Sequence, residues 1–165
     1  MNAQFQAASL PLGPTPDGTM LDGAKLVRSA RAVIATEARA IEVLHDRIDG
    51  RFLRACQLMF ECQGRVVVSG MGKSGHIARK IAATLASTGT PSFFVHPGEA
   101  SHGDLGMITP TDSVIALSNS GETPELADLI AYTRRFAIPL IGVAGKADST
   151  LLRAADIALV LPPAP

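Results

Sequence analysis

The sequence is poor in aromatic residues. It has no tryptophan and a single tyrosine, and aromatic residues form 4% of the chain although 47% of it is hydrophobic. A core made from this chain must therefore consist mainly of Val, Ile, Leu and Ala side chains. The composition disfavours an aromatic-rich binding surface, and the length of 165 residues predicts one domain with its own core.

The chain also lacks an excess of charge of either sign. Lys plus Arg and Asp plus Glu number 15 each, so no net field would attract nucleic acid or an anionic membrane. Long hydrophobic runs are missing too, and none approaches the roughly 20 residues that a membrane helix needs. Residues 1–19 do not follow the pattern of a secretory signal. These absences predict no nucleic-acid partner, no membrane partner and a cytoplasmic location.

Cysteine is equally scarce. Cys56 and Cys62 are the only two, and they lie six residues apart on one predicted helix, pointing to different faces. A disulfide between them is therefore disfavoured, and we expect two buried thiols in a reducing compartment.

Two helices are predicted ahead of the middle of the chain. Residues 1–20 contain three prolines and two glycines without periodicity, and they predict a disordered arm before one domain over residues 21–165. A long amphipathic helix should begin at Asp22, and a second should follow Asp49 and end before Gly64. The first helix can either cover a sheet face or pack against its copy in an oligomer, and the sequence leaves both open.

The stretch from Arg65 to His76 predicts a strand, a glycine-rich turn and the start of a helix. Three consecutive valines indicate a buried strand, and three glycines then permit a tight turn. Such a junction directs backbone N–H groups and the positive end of a helix dipole at one point, which suits an anion. The candidate ligands in this stretch are Ser69, Gly72, Lys73 and Ser74.

Two nucleotide-binding motifs can be tested against this stretch. A P-loop requires glycine at position 67, where this chain has Val67, so that motif is excluded. The dinucleotide fingerprint matches at Gly70, Gly72 and Gly75, but it also requires an acidic residue at the end of the next strand. That strand ends at His96 with no acidic residue, so a nucleotide cofactor is disfavoured. An ordinary tight turn remains an alternative.

The rest of the chain alternates strands with helices. Further strands are predicted over residues 92–95, 114–117, 140–143 and 157–161, with helices between them. This alternation indicates an α/β fold of three layers, a doubly wound parallel sheet of five strands in the order 2-1-3-4-5. In that order, ligands bind outside the carboxyl ends of strands one and three, because the strand order reverses between them.

Those two strand ends carry the hydroxyl-rich glycine loops of the chain. The second loop runs from Ser118 to Thr123, and Pro124 follows it at the first position of a helix that Thr123 should cap. Hydroxyls and free amides at a helix N-terminus form a phosphate site without metal. Ordinary capping is the alternative. The candidate ligands are Ser118, Asn119, Ser120 and Thr123, to which Gly89 and Thr90 are added as further substrate contacts.

Three ionisable residues are candidates for chemistry near this site. Glu125 falls at the second position of the helix, where it is either a first-turn carboxylate stabilised by the dipole or a general base beside bound phosphate. His96 and His102 lie in a polar loop that also holds two acidic residues. A required zinc site needs three or four suitably spaced ligands and is disfavoured here, although zinc at His96 alone remains open.

Three segments of the sequence together resemble the arabinose 5-phosphate isomerases, which have a sugar isomerase (SIS) domain. They are GMGKSGH from Gly70, STGTPSFFVHPGEASHGDLG from Ser87, and SNSGE from Ser118. The resemblance covers about residues 24–161. It implies a flavodoxin-like SIS fold, a homotetramer and an enzyme that interconverts D-ribulose 5-phosphate and D-arabinose 5-phosphate. That reaction is the first step toward the Kdo sugar of lipopolysaccharide.

The resemblance also assigns roles to particular residues. Lys73, Glu125 and His102 match functional positions of the family, and His96 matches a position where inhibitory zinc binds. No cofactor is implied. The family continues with helices that bear another glutamate and a histidine, and usually with a pair of CBS modules, which this chain lacks. We therefore expect the chain to be a fragment. A non-catalytic SIS module that senses a sugar phosphate, or an isomerase of another phosphosugar, remains an alternative.

Overall fold

The computed structural model describes Gly13, Pro16, Gly18 and residues 22–163. The disordered arm predicted over residues 1–20 therefore lies almost entirely outside the described residues. The chain divides into two compact units, and the unit from Leu44 to Pro163 contains the sheet. The prediction of a single domain over residues 21–165 stays a prediction.

Five strands form one parallel sheet in the order β2-β1-β3-β4-β5. The strands are β1 (Val66–Gly70), β2 (Ser92–Val95), β3 (Ser113–Leu117), β4 (Leu140–Ala144) and β5 (Ile157–Val160). The predicted α/β class, strand number and strand order are confirmed. Buried, β-branched residues dominate β1 because a parallel sheet covered on both faces offers its central strands no solvent.

Six α-helices and two 3₁₀ turns accompany these strands in the part of the chain that is described. The helices are α1 (Gly23–His45), α2 (Gly50–Phe60), α3 (Gly72–Ser87), α4 (Pro97–Ala100), α5 (Ala127–Arg135) and α6 (Thr150–Ala154). The 3₁₀ turns are Asp104–Met107 and Pro124–Leu126. The segment predicted as a long loop between β2 and β3 is thus partly helical. Among the described helices, none has the length and hydropathy required to cross a bilayer.

The first helix, α1, is as long and amphipathic as predicted. All of its side chains are exposed or half-buried. Leu26, Val33, Ile34 and Ile41 are between 47% and 69% exposed. The apolar stripe that the sequence pattern indicates is therefore present along α1, with its large side chains accessible to solvent.

Two separate cores pack against the two faces of the sheet. Val67 of β1 belongs to one core, together with residues from α5 and α6. Val66 and Val68 belong to the other, which includes residues from α2 and α3. This division follows from the alternation of side chains along a strand. The core is built from aliphatic side chains, as the composition predicts.

Helix α3 packs most closely on the sheet through small residues. Ala78 and Ala82 are buried, whereas the larger apolar side chains of this helix are only partly buried or, at Ile77, 56% exposed. The reason is the close approach of helix and strand: a Cβ added at Gly75 would lie 2.6 Å from the carbonyl oxygen of Gly70.

The cysteine prediction is partly wrong. Both cysteines are free thiols, but each is half-buried rather than buried. Cys62 lies beyond α2, because this helix ends at Phe60 with Glu61 as its C-cap. The Sγ atom of Cys62 contacts the carbonyl oxygen of Thr111 at 3.5 Å.

The amino-terminal edge of the sheet is held by a buried carboxylate. Asp112 accepts hydrogen bonds from the backbone N–H of Arg65 at 2.7 Å and from that of Thr109 at 2.8 Å. The guanidinium of Arg65 lies 3.4 Å from the same carboxylate. Burial favours a raised pKa for Asp112, but the hydrogen bonds from Thr109 and Arg65 outweigh it, and the pKa is lowered.

Replacing Gly75 by alanine should reduce the free energy of unfolding by about 1–3 kcal/mol, because the added methyl group would overlap the carbonyl of Gly70. Gly106→Ala is the matched control, since the added Cβ there meets no atom within 4 Å. Urea unfolding of both variants measures the difference. Equal stability of the two variants would contradict the close packing described here.

Asp112→Asn should destabilise the fold by about 1–3 kcal/mol at pH 7, because an amide offers one acceptor oxygen where two N–H groups converge. The lowered pKa means that the contribution of Asp112 is present above its unfolded pKa of about 3.9 and is lost as the pH falls through the folded value. The difference between wild type and variant should therefore shrink in acid. Asp46→Asn, at a carboxylate that is 85% exposed, is the control and should leave the stability at pH 7 within about 0.5 kcal/mol of wild type.

Candidate functional site

Two glycine-rich loops begin at neighbouring points on the carboxyl-terminal edge of the sheet. Strand β1 pairs with β3, and the last pair in their register joins Gly70 to Leu117. The first loop leaves β1 at Met71, and the second leaves β3 at Ser118. The structure thus brings together the two loops that the sequence pattern assigned to one crevice.

The first loop leads directly into α3. Met71 occupies the N-cap position with extended backbone and makes no side-chain capping bond. Gly72 has a φ of 53°, a left-handed conformation that favours glycine. The amides of Gly72, Lys73 and Ser74 find no acceptor in the described part of the chain. Because α3 is 16 residues long, these amides form a strong positive helix end, and the exposed side chain of Lys73 adds a full charge there.

The second loop is organised by the hydroxyl of Ser118. This residue is buried, and its Oγ accepts a hydrogen bond from the N–H of Gly121 at 2.9 Å. It also shares a hydrogen bond of 2.7 Å with Oγ1 of Thr123. Thr123 does occupy the predicted N-cap position, but the predicted side-chain cap is absent because its hydroxyl is engaged by Ser118. Ser118 therefore shapes the loop from within.

Most of the remaining polar groups of this loop are unpaired. The amides of Asn119, Ser120 and Thr123 donate to no acceptor within residues 22–163. Ser120 is exposed, and its Oγ accepts from the N–H of Glu122 at 3.2 Å. Several free amides beside a hydroxyl suit an anion, as the sequence predicts for phosphate.

A third segment, which the sequence analysis missed, supports the second loop. It runs from Gly145 at the end of β4 into α6. The N–H of Gly145 donates to the carbonyl of Asn119, and the N–H of Leu151 donates to the carbonyl of Gly121, both at 3.0 Å. Gly121 has a φ of 68°, and a Cβ at this position would overlap the side chain of Ser149. A glycine two residues after the end of a predicted strand was the signal that this segment offered.

Glu122 joins these two segments through its side chain. Its Oε1 accepts a hydrogen bond from the N–H of Thr150 at 2.9 Å. That hydrogen bonding, together with the nearby charges of Arg153 and Lys146, lowers the pKa of Glu122. Its carboxylate therefore stays ionised at neutral pH.

The candidate chemical groups lie around this edge at different depths. Glu125 is half-buried in the 3₁₀ turn that follows the second loop, and Lys73 is exposed at the start of α3. Ser69 is fully buried one residue before the end of β1, and its Oγ finds no hydrogen-bond partner among the described residues. Direct substrate contact by Ser69 therefore requires movement of its neighbours and stays a prediction.

The two loop histidines are placed differently. His96 directly follows β2 and occupies the N-cap position of α4, half-buried, with an Nδ1 that finds no partner in the described part of the chain. His102 is exposed beyond α4, and its backbone N–H donates to Glu99 at 2.9 Å. Within residues 22–163, no three His, Cys, Asp or Glu side chains come together in a group that could hold a metal. Zinc at His96 stays a prediction.

Gly89 and Thr90 are not brought to this edge within the chain. They lie between the end of α3 and the start of β2, at the amino-terminal edge of the parallel sheet. A strand of five residues separates the two edges by about 16 Å. Gly89, with a φ of 98°, instead ends α3 as a glycine stop. Their role as substrate contacts stays a prediction.

Known proteins share both the sequence and the fold of this chain. It is 56% identical over 132 residues to the arabinose 5-phosphate isomerase KdsD of Escherichia coli K12, and 55% identical over 133 residues to KdsD of Pseudomonas aeruginosa. These alignments cover 80% and 81% of this chain, but only 40% and 41% of the relatives. The chain thus spans about two fifths of the length of these relatives.

This chain covers a larger share of one solved structure than of these relatives. The E. coli CFT073 protein c3406, in complex with arabinose 5-phosphate, superposes with a TM-score of 0.82 at 41% sequence identity. The superposition covers 86% of this chain and 76% of that protein. The sequence model of the SIS domain matches residues 59–165, which include the whole sheet and both loops. Together with the parallel sheet order and the paired loops at its carboxyl edge, this match shows that the chain belongs to the SIS domain family.

Proposed function

We propose that this chain carries the isomerase site of an enzyme that interconverts D-ribulose 5-phosphate and D-arabinose 5-phosphate. The observation that carries the proposal is the meeting of two phosphate-type loops at neighbouring strand ends, with Lys73 following one and Glu125 following the other. The relatives named arabinose 5-phosphate isomerase, and the structural neighbour in complex with that sugar phosphate, support this choice of substrate.

The reaction is a hydrogen shift between two adjacent carbons. A base removes a proton from the carbon beside the carbonyl, an enediolate forms, and a proton returns to the neighbouring carbon, so that no net oxidation occurs. The site must therefore hold the phosphate, provide a base and stabilise the negative charge on the enediolate oxygens. No redox cofactor is required by this chemistry.

The residues of this edge suit these three tasks. The free amides of the Ser118–Thr123 loop and the hydroxyl of Ser120 bind the phosphate. Glu125, at the beginning of the following helix, transfers the proton. Lys73 stabilises the developing negative charge. His102, in the loop after α4, is a further candidate catalytic residue. The proposal extends to a cytoplasmic homotetramer in the pathway to the Kdo sugar of lipopolysaccharide.

The direct test is turnover of ribulose 5-phosphate, followed by NMR identification of the product, with the full-length protein. Thermal melts of the chain with arabinose 5-phosphate test binding separately, since a ligand at a hundred times its Kd should stabilise the native state by roughly 2.7 kcal/mol. Binding without turnover would favour a sensing module over an isomerase. The absence of both binding and turnover would refute the assignment of the site.

Lys73→Ala should reduce kcat about a hundredfold or more with little loss of stability, because the side chain is exposed on the loop and its charge acts on the transition state. Lys80→Ala is the matched control, since Lys80 is also exposed on α3 but lies two turns further along. Steady-state kinetics of both variants decide the role. Near-wild-type turnover in the Lys73 variant would remove this residue from the mechanism.

Glu125→Gln preserves the shape of the side chain and removes its charge, so we expect a sharp fall in kcat with KM little changed. The double variant Ser120→Ala/Thr123→Ala should instead raise KM, because it alters the phosphate loop. Asp128→Asn, an exposed carboxylate one turn beyond Glu125, is the control for charge alone. If the Glu125 variant changed KM alone, the residue would be only a first-turn carboxylate.

A further inference from the structure

Helix α6 begins with an unusual cap. Ser149 occupies its N-cap position with extended backbone, yet its hydroxyl makes no capping bond, and its Oγ finds no partner among the described residues. Serine is one of the residues that most often satisfies the first amides of a helix. Here its side chain is buried against Gly121.

Glu122 supplies the missing cap from another loop. Its Oε1 accepts from the N–H of Thr150, the first residue of α6, at 2.9 Å. Its backbone N–H meanwhile donates to Oγ of Ser120 at 3.2 Å. One residue therefore connects the outward-facing hydroxyl of the phosphate loop to the start of a neighbouring helix.

Among the described residues, the hydrogen bond from the N–H of Thr150 to Glu122 is the side-chain link between the phosphate loop and the segment that runs from Gly145 into α6. The other two hydrogen bonds between them, from Gly145 to Asn119 and from Leu151 to Gly121, join backbone atoms and persist in any sequence with the same backbone. A substitution at Glu122 removes one tether and leaves two. The loop should then keep its general position but hold its free amides less firmly.

The negative charge of Glu122 allows its structural role to be distinguished from a purely electrostatic one. A carboxylate within a phosphate-binding loop repels the ligand, so by Coulomb interactions alone its removal would strengthen phosphate binding. The groups that face this carboxylate are Thr150, Arg153 and Lys146. Asp148 adds a negative charge next to them, 4.0 Å from Lys146. The N–H of Thr150 and the two positive charges stabilise the carboxylate where it lies, at the start of α6.

We propose that Glu122 is a positioning residue that fixes the phosphate loop by capping α6, without contacting the substrate. The inference rests on the proposed function of the loop as the phosphate site. It predicts an effect of opposite sign to simple electrostatics: removing this negative charge by truncation should weaken phosphate binding, because the tether is lost with it.

Three substitutions separate the tether from the charge. Glu122→Ala loses both and should raise KM for the sugar phosphate about threefold or more, with kcat within about twofold of wild type. Glu122→Asp keeps the charge but is shorter by one carbon–carbon bond of about 1.5 Å, so it should also raise KM. Glu122→Gln keeps the acceptor oxygen without the charge, and its KM should equal or fall below that of wild type.

Inorganic phosphate and hydrogen exchange test the tether without turnover. Thermal melts with inorganic phosphate should show weaker binding for the Ala and Asp variants than for wild type and Gln. Exchange of the Thr150 amide should be faster in the Ala and Asp variants, since that N–H loses its acceptor. Glu61→Ala, an exposed carboxylate after α2 at the opposite edge, is the control for net charge and should behave as wild type.

The outcomes keep the two proposals apart. If wild type failed to isomerise ribulose 5-phosphate but the Ala variant still bound inorganic phosphate less well, the proposed reaction would fall and the tether would stand. Equal phosphate binding and equal Thr150 exchange in wild type and the Ala variant would overturn the tether. A fall in kcat with unchanged KM would also overturn it, because Glu122 would then act in the chemistry.

Discussion

The site depends on the parallel pairing of β1 with β3. Their register ends at Gly70 and Leu117, and this one alignment starts both glycine-rich loops at the same level of the sheet. A shift of β1 by one residue would turn Ser69 to the opposite face. The two strands also approach closely at this end, since a Cβ at Gly70 would lie 3.0 Å from the carbonyl oxygen of Leu117.

The fold could be predicted from the sequence because its strands are short, apolar and separated by clear turn signals. The three valines of β1 and the glycine stop at Gly89 are local features that tertiary context does not override. The order of the strands was predicted as the usual one for a chain that alternates five strands with helices. The degree to which each side chain of α3 is buried could not be predicted in the same way, because it depends on how closely the helix approaches Gly70, a distance that periodicity does not encode.

The residues of the candidate site that directly follow a strand could be located from the sequence. The contacts between loops could not. The two loops and Lys73 were located correctly because parallel strands end at one edge. Gly89 and Thr90, which were proposed as further substrate contacts, lie at the other edge of the sheet within one chain. The engagement of Ser118 with Thr123, and of Glu122 with Thr150, joins residues whose pairing no spacing rule announces.

The buried carboxylate of Asp112 lies at the edge of the sheet opposite the loops. It fastens the entry to β1 and β3 by backbone amides, without any help from the segments that follow those strands. The anchor of the fold and the proposed ligand site thus lie at different ends of the same strands. A lineage that exchanged residues between Ser118 and Thr123 would alter the proposed ligand site while its anchor stayed untouched. Such a division gives this scaffold room to acquire new specificities.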